Sequence, residues 1–129
     1  MELQIEIPEE SVLCSIDEKE MKRAIGNLLI NAYKHNNKDA KIMVKVEKQG
    51  EDIKVMVADD GRKIPVEEEE KLFEPFAKGD EARTGEGGNG LGLVISRLIV
   101  EKHGGSLYIN DNLDGYTKGF VINLKMSGL

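Results

Sequence analysis

The most informative stretch of this sequence is the glycine cluster Gly85-Glu86-Gly87-Gly88-Asn89-Gly90-Leu91-Gly92-Leu93. It runs directly into an apolar-periodic segment, Leu91 to His103, which is typical of a helix. The start of a helix leaves backbone N–H groups unpaired and carries partial positive charge, and glycines let a bulky anion approach that backbone closely. The cluster therefore indicates a phosphate site. A mobile glycine linker is the alternative that this stretch alone leaves open.

Length and composition indicate one ordinary domain. The 129 residues are 40% hydrophobic and 33% charged, which is enough to form a core. The formal net charge of -6 argues against nonspecific nucleic-acid binding, because such binding needs basic patches. The apolar runs are too short to cross a bilayer, so no direct membrane contact is predicted. The single cysteine, Cys14, cannot form an internal disulfide and fits a reducing, cytoplasmic compartment.

Hydrophobic periodicity predicts the order of helices and strands. Asp17 is the predicted N-cap of the first helix, with Glu20 returning the bond in a capping box, and this helix should end near Asn36-Asn37. Further helices are predicted at Val66–Phe73 and Leu91–His103. Alternation predicts strands at Leu3–Ile7, Val12–Ile16, Ile42–Val46, Ile53–Val57, Ser106–Asn110 and Phe120–Lys125. This order predicts a two-layer α/β sandwich, with a mixed sheet packed on about three helices.

The first predicted helix carries a polar stripe. Asn27, Asn31 and Lys34 are spaced four and three residues apart, away from the apolar face. Such a stripe is usually a solvated helix face. Two asparagines inside a helix are unusual, however, and an amide oxygen is a hard ligand suited to Mg²⁺ beside phosphate oxygens. Lys34 would meet phosphates as a point charge. His35, at the edge of the stripe, fits a neutral hydrogen-bonding or packing residue better than a metal ligand.

Two more motifs follow along the chain. Asp59-Asp60-Gly61 comes directly after a predicted strand, where an aspartate beside a glycine is ordinarily turn chemistry. Leu72-Phe73-Glu74-Pro75-Phe76 places two aromatics three residues apart just before the glycine-bearing loop. Taken alone, these aromatics indicate core anchors.

In this order the four motifs resemble the Bergerat ATP-binding fold of the GHKL superfamily, and most closely the catalytic ATP-binding domain of bacterial sensor histidine kinases. Residues 27–35 resemble the N box of that family, residues 59–61 the G1 box, residues 72–76 the F box and residues 88–93 the G2 box. The resemblance spans roughly Val12 to Leu124, and four ordered motifs are more specific than any one of them. It implies a single catalytic domain over residues 1–129.

The resemblance implies a role for each matching position. Asn31 would coordinate Mg²⁺, Lys34 would contact the phosphates of ATP, and Asp59 would accept a hydrogen bond from the exocyclic amine of adenine. Under a flexible lid at residues 78–89, further nucleotide-binding positions are implied. Leu72, Leu93 and Phe120 would line the adenine pocket, the backbone of Gly88, Gly90 and Leu91 would face the phosphates, and His35, Gly61, Ile64 and Gly92 complete the set.

Residue 27 separates two activities of the superfamily. Its hydrolytic members and its anti-sigma kinases carry a glutamate four residues before the metal-binding asparagine, where it can activate the attacking group. This chain has Asn27 there. A kinase that phosphorylates a histidine of another domain needs no base to activate water, so Asn27 favours transfer of the γ-phosphate over hydrolysis. Lys34 is the second predicted catalytic residue, and it would neutralise charge on the phosphates. A structural cap is the alternative role of Asn27.

The resemblance also implies partners. Neither His35 nor His103, which ends the third predicted helix where a basic ring suits the helix dipole, has a phosphoacceptor setting. No long paired helices precede the domain, so the expected substrate is the dimerisation and histidine phosphoacceptor domain of a parent kinase in a two-component system. A response regulator would follow indirectly, and the parent could be membrane-anchored.

Two positions depart from the family pattern. Lys63 replaces the usual second glycine of the G1 box, and Lys78 stands nearest to the arginine that often follows the F box. Two other functions stay open at this point. An anti-sigma-type serine kinase or switch module would share the fold, and a degenerate domain could bind a protein without nucleotide.

Overall fold

A computed structural model of the chain describes residues 2–8, 15–34, 39–74, 92–111 and 115–126. The helices and strands of these residues, numbered in chain order, are β1 (Glu2–Glu6), α1 (Glu18–Lys34), β2 (Lys41–Gln49), β3 (Asp52–Asp59), α2 (Val66–Glu69), α3 (Gly92–Lys102), β4 (Ser106–Asn110) and β5 (Lys118–Lys125). A 3-10 turn, Glu70–Phe73, continues α2. Across the described ranges, every helix is too short or too polar to cross a membrane.

The described strands form one mixed sheet. Their order is β1-β2-β3-β5-β4, with β1 parallel to β2 and every other neighbouring pair antiparallel. The hairpin between β2 and β3 turns at Gly50, whose φ of 62° is in the left-handed region that glycine tolerates. β5 lies between β3 and β4. Because β5 is antiparallel to β3, its first residues pair with the last residues of β3.

Helices α1 and α3 pack on one face of this sheet and on each other. The predicted apolar face of α1 lies in the core, as do the odd positions of β3 and the even positions of β5. The core residues of these elements are Met21, Ala24, Leu28, Ala32, Val55, Val57, Phe120, Ile122 and Leu124. The predicted two-layer α/β sandwich is confirmed.

Side-chain hydrogen bonds hold α1 against α3. Ala24 and Ser96 are fully buried where the helices cross, and the Ser96 hydroxyl donates a hydrogen bond of 2.9 Å to the Ala24 carbonyl oxygen. At the last residue of α3, Lys102 Nζ lies 2.9 Å from Glu20 Oε1, and this hydrogen bond raises the pKa of Lys102 above its ordinary value. The helix with the predicted N box is thereby fixed relative to the helix that the glycine cluster enters.

The start of α1 is capped differently from the prediction. Asp17 Oδ1 accepts a hydrogen bond of 3.0 Å from the Glu20 N–H, which confirms Asp17 as the N-cap. The prediction of the reciprocal bond, from the Asp17 N–H to the Glu20 side chain, is wrong. The Asp17 N–H donates instead to His103 Nε2 at 3.0 Å, and the Glu20 carboxylate binds Lys102. Tertiary contacts with α3 have replaced the local bond.

Some predicted boundaries differ from the structure. In the predicted strand Val12–Ile16, residues 12–14 lie outside the described residues, and Ser15 and Ile16 are not in a strand. α1 is described to Lys34, so its predicted end near Asn36-Asn37 also lies outside. β5 begins at Lys118, two residues before the predicted start, because its pairing with β3 continues to Asp59.

The end of α3 is a tight glycine motif. The Gly105 N–H donates to the Val100 carbonyl oxygen and the Gly104 N–H to that of Glu101, each at 3.0 Å, which is the Schellman pattern. Gly104 has a φ of 81°, a backbone conformation that other residues rarely adopt. The motif directs the chain from α3 into β4.

Candidate functional site

The polar stripe of α1 contacts the start of α3. Asn27 Nδ2 donates a hydrogen bond to the carbonyl oxygen of Gly92, 3.3 Å away. One turn further along α1, Asn31 is partly buried, and Lys34 is exposed at the last residue of the helix. The N-terminus of α3 carries partial positive charge, so the stripe lies beside a place suited to an anion.

Asp59 lies at the end of β3 with only 2% of its surface exposed. Its Oδ1 accepts a hydrogen bond of 2.9 Å from the Gly61 N–H, which closes the turn that the sequence predicts. The same oxygen lies 2.7 Å from the Nζ of Lys118. Turn chemistry and a buried ion pair therefore coexist at this carboxylate.

Thr117, just before β5, and Lys118, its first residue, support Asp59. Neither residue is predicted from the sequence as part of the site. The Thr117 N–H donates to the Asp59 carbonyl oxygen at 2.9 Å, and the Thr117 hydroxyl lies 2.5 Å from the carbonyl oxygen of Gly61. Lys118 is 6% exposed and reaches the Arg62 carbonyl oxygen at 2.5 Å as well as Asp59. Alternation with Phe120 on β5, which puts Lys118 on the core face, is the signal that could have found it.

A second aspartate–lysine pair joins the same two strands at their other end. Asp52 and Lys125 are cross-strand partners, with Nζ 2.8 Å from Oδ1, and Lys125 is 73% exposed. The hydrogen bond from Lys125 lowers the pKa of Asp52, and the same bond raises the pKa of Lys125. The two pairs thus differ chiefly in burial and in their place along the strands.

Apolar residues adjoin Asp59. Four of the predicted nucleotide positions, Ile64, Leu72, Leu93 and Phe120, belong to the main core cluster or pack against it. The Phe73 ring packs edge-on against the ring of Phe120, with centroids 6.3 Å apart and an interplanar angle of 81°. The predicted F box and the predicted adenine wall are therefore in contact.

Arg97 of α3 holds the F-box segment in place. Its guanidinium carbon lies 4.4 Å from the centroid of the Phe73 ring, a cation–π contact. The same side chain lies near the Glu101 carboxylate, at 3.6 Å. α3 therefore contains the end of the glycine cluster, Gly92 and Leu93, and also positions the aromatic of the F box.

Several predicted site residues lie outside the described residues. These are His35, Gly88, Gly90 and Leu91, together with the lid at residues 78–89 and Phe76. Gly92 is described as the first residue of α3, where its carbonyl accepts the bond from Asn27. The roles of all these positions stay predictions.

His103 has both ring nitrogens engaged. Nδ1 lies 2.7 Å from the Ile99 carbonyl oxygen and can only donate there, whereas Nε2 accepts from the Asp17 N–H at 3.0 Å. The ring therefore caps a carbonyl at the end of α3 by hydrogen bonding. His103 directly follows the last residue of α3, and the predicted effect of its basic ring on the helix dipole stays a prediction.

Residues 16–128 match the family described as histidine kinase-, DNA gyrase B-, and HSP90-like ATPases. The chain belongs to this family. Two relatives are sensor kinases. The alginate biosynthesis sensor protein KinB of Pseudomonas aeruginosa is 33% identical over 107 residues, which are 83% of this chain and 18% of that protein. The sensor protein kinase WalK of Staphylococcus saprophyticus is 34% identical over 122 residues, 92% of this chain and 20% of that protein. The chain thus spans about a fifth of the length of these relatives.

Solved structures agree with the family. The nucleotide-free catalytic domain of the histidine kinase ThkA superposes with a TM-score of 0.80 at 28% identity, covering 98% of this chain and 81% of that chain. ThkA in complex with the response regulator protein TrrA gives a TM-score of 0.73 at 25% identity, covering 97% of this chain and 34% of that chain. The fold is that of histidine kinase catalytic domains, as the four motifs predicted.

Proposed function

We propose that this chain binds Mg²⁺-ATP and transfers the γ-phosphate to a histidine on a separate dimerisation and phosphoacceptor domain in two-component signal transduction. The observation that carries the proposal is the contact of Asn27 with Gly92, 3.3 Å long. An amide donor there positions the start of α3, and an amide is not a base that could activate water. Asn27 thus supports phosphotransfer over hydrolysis, as a positioning group rather than a proton acceptor.

The proposed nucleotide extends from Asp59, which contacts the base, to the N-terminus of α3, which faces the phosphates. Asp59 accepts from the exocyclic amine of adenine, and the apolar residues beside Phe120 surround the base. The phosphates lie near the N-terminus of α3, where the helix dipole and the predicted backbone of Gly88 and Gly90 favour an anion. Lys34 is exposed at the end of α1, and its ammonium group binds the phosphates as a point charge.

The residues present fit Mg²⁺ held mainly by phosphate oxygens. Mg²⁺ usually takes one or two protein ligands and completes its octahedron with phosphates and water. Asn31 offers one amide oxygen, one helical turn beyond the residue of α1 that contacts the start of α3. The part of the chain that the structure describes holds no cluster of three acidic, histidine or cysteine side chains that could bind a metal alone. When bound, the ion would neutralise charge on the phosphate oxygens.

The acceptor histidine belongs to another domain in this proposal. His103 uses both ring nitrogens in bonds that tie the end of α3 to the start of α1, so a phosphoryl group there would break the fold's own contacts. By likeness to the ThkA complex with TrrA, we also propose a response regulator as an indirect partner, with the reaction taking place in the cytoplasm.

Transfer to a separate domain is the first test. The isolated chain should hydrolyse ATP slowly and carry no acid-labile phosphate, whereas a separately supplied histidine-bearing helical domain of its parent protein should become labelled from [γ-³²P]ATP. The reason is that the chain supplies the nucleotide site and the other domain supplies the nucleophile. Acid-labile phosphate on this chain alone would contradict the proposal, and omission of the helical domain is the matched control.

Base selectivity is a second test. ATP should bind at least about tenfold more tightly than GTP, since a hydrogen bond to a charged group is involved and guanine puts a carbonyl oxygen against the Asp59 carboxylate. Competition of each nucleotide against a fluorescent ATP analogue measures the ratio. If GTP competes as well as ATP, Asp59 has only its turn and ion-pair roles.

A further inference from the structure

Lys118 is a buried lysine beside the proposed adenine acceptor. It is 6% exposed, and its Nζ lies 2.7 Å from Asp59 Oδ1 and 2.5 Å from the Arg62 carbonyl oxygen. Burying an ammonium group is costly unless it is paired and hydrogen-bonded. The Lys118 ammonium group is therefore held in place by these two oxygen atoms. One side chain thus joins the end of β3 to the loop that follows it.

The geometry around Asp59 separates its two oxygens. Two hydrogen bonds to its carboxylate, from the Gly61 N–H at 2.9 Å and from Lys118 Nζ at 2.7 Å, end on Oδ1. The other oxygen of Asp59, Oδ2, takes part in neither of these two bonds. A carboxylate held by two donors on one oxygen has a fixed plane, and its second oxygen is the one suited to accept a further hydrogen bond.

The hydrogen bond from Lys118 to the Arg62 carbonyl oxygen also fixes the loop that follows β3. Residues 60–65 connect β3 to α2 and include Lys63. Lys118 ties the carbonyl just before Lys63 to β5, and the Thr117 hydroxyl ties the carbonyl of Gly61. The start of β5 therefore fixes this loop by side-chain bonds.

We propose that Lys118 is a positioning residue for base recognition: it holds the Asp59 carboxylate through Oδ1 and the loop through Arg62, so that Oδ2 meets the 6-amino group of a purine nucleotide. The inference rests on the proposed function, because it concerns the same nucleotide. It adds a specificity-determining residue on β5 that touches the acceptor and not the base.

The test compares two ligands that differ only in the 6-amino group. ATP and the triphosphate of purine riboside, which lacks this group, are titrated calorimetrically into the wild type and into Lys118→Met. In the wild type, ATP should bind roughly 10- to 100-fold more tightly, the range expected for a hydrogen bond to a charged acceptor. In Lys118→Met this ratio should fall toward one, while Lys118→Arg should restore part of it.

The matched control lies on the same two strands. Lys125→Met removes the lysine of the exposed pair with Asp52 at the other end of β3 and β5, so it should leave both affinities and their ratio unchanged. Thermal unfolding of each variant shows whether it folds. If Lys118→Met does not fold, Lys118→Gln decides, since its shorter neutral amide should lower the ratio, and the full wild-type ratio in a folded Lys118→Gln overturns the proposal.

The remaining outcomes are distinct. If Lys118→Met weakens both ligands equally, Lys118 has only a structural role and the proposal is wrong. If Lys118→Met binds ATP more tightly than the wild type does, Lys118 competes with the base for Asp59, which also overturns it. A wild type that binds neither ligand contradicts the proposed function itself, whereas a wild type with a high ratio that Lys118→Met retains contradicts this inference alone.

Discussion

Replacing Gly105 with alanine is expected to lower the free energy of unfolding by about 3 kcal/mol or more. A Cβ atom at this position would lie 2.3 Å from the backbone oxygen of Asn123 and 2.9 Å from Leu124 Cδ2. The first contact is with backbone in the interior of β5, so a side-chain rotation cannot relieve it. Either β5 or the end of α3 must shift, and both belong to the core. Chemical denaturation followed by circular dichroism measures the change.

The matched control for this change is Gly26→Ala. Among the described residues, a Cβ atom at Gly26 would meet nothing within 4 Å, and Gly26 lies inside α1. Alanine there should stabilise the protein by roughly 0.5–1 kcal/mol, because glycine is the poorer helix former. Equal effects of the two substitutions would contradict the close approach of β5 to the end of α3.

Local pattern predicted most of the fold. The period of the apolar residues identified α1, α3 and the strands of the central hairpin, because burial on one side of each element forces that period. The boundaries that moved depended on distant partners. β5 starts at Lys118 because Asp59 is its cross-strand neighbour, and the capping box is incomplete because Asp17 and Glu20 meet α3 instead.

The site was predicted less fully, for a related reason. Motif order predicts Asn31, Asp59 and the wall around Phe120 as site residues, since each lies at a recognisable place along its own element, and these roles stay predictions. The partners of these residues come from elsewhere in the chain. Lys118 is 59 residues from Asp59, and Gly92 is 65 residues from Asn27. No spacing rule within one element reveals such contacts, although a lysine on the core face of a strand could have signalled one.

Replacing Asn31 with alanine should reduce ATP affinity in the presence of Mg²⁺ by at least about tenfold, because even indirect partners of a metal ion change its affinity by that factor. In the presence of a chelator, wild type and variant should bind ATP alike. Asn31 is partly buried on α1, and alanine is the best helix former, so the helix should be retained. Calorimetric titrations with Mg²⁺ and with EDTA measure both affinities.

A matched control is Asn123→Ala, which removes an asparagine from β5 between the core residues Ile122 and Leu124, on the opposite face of the sheet. It should leave both titrations unchanged. Equal Mg²⁺-ATP affinities of wild type and Asn31→Ala would show that the amide oxygen is not a metal ligand. Losses of the same size with Mg²⁺ and with EDTA would instead place Asn31 against the nucleotide. The difference between the two titrations, rather than either affinity alone, is therefore the quantity that assigns the metal to this helix.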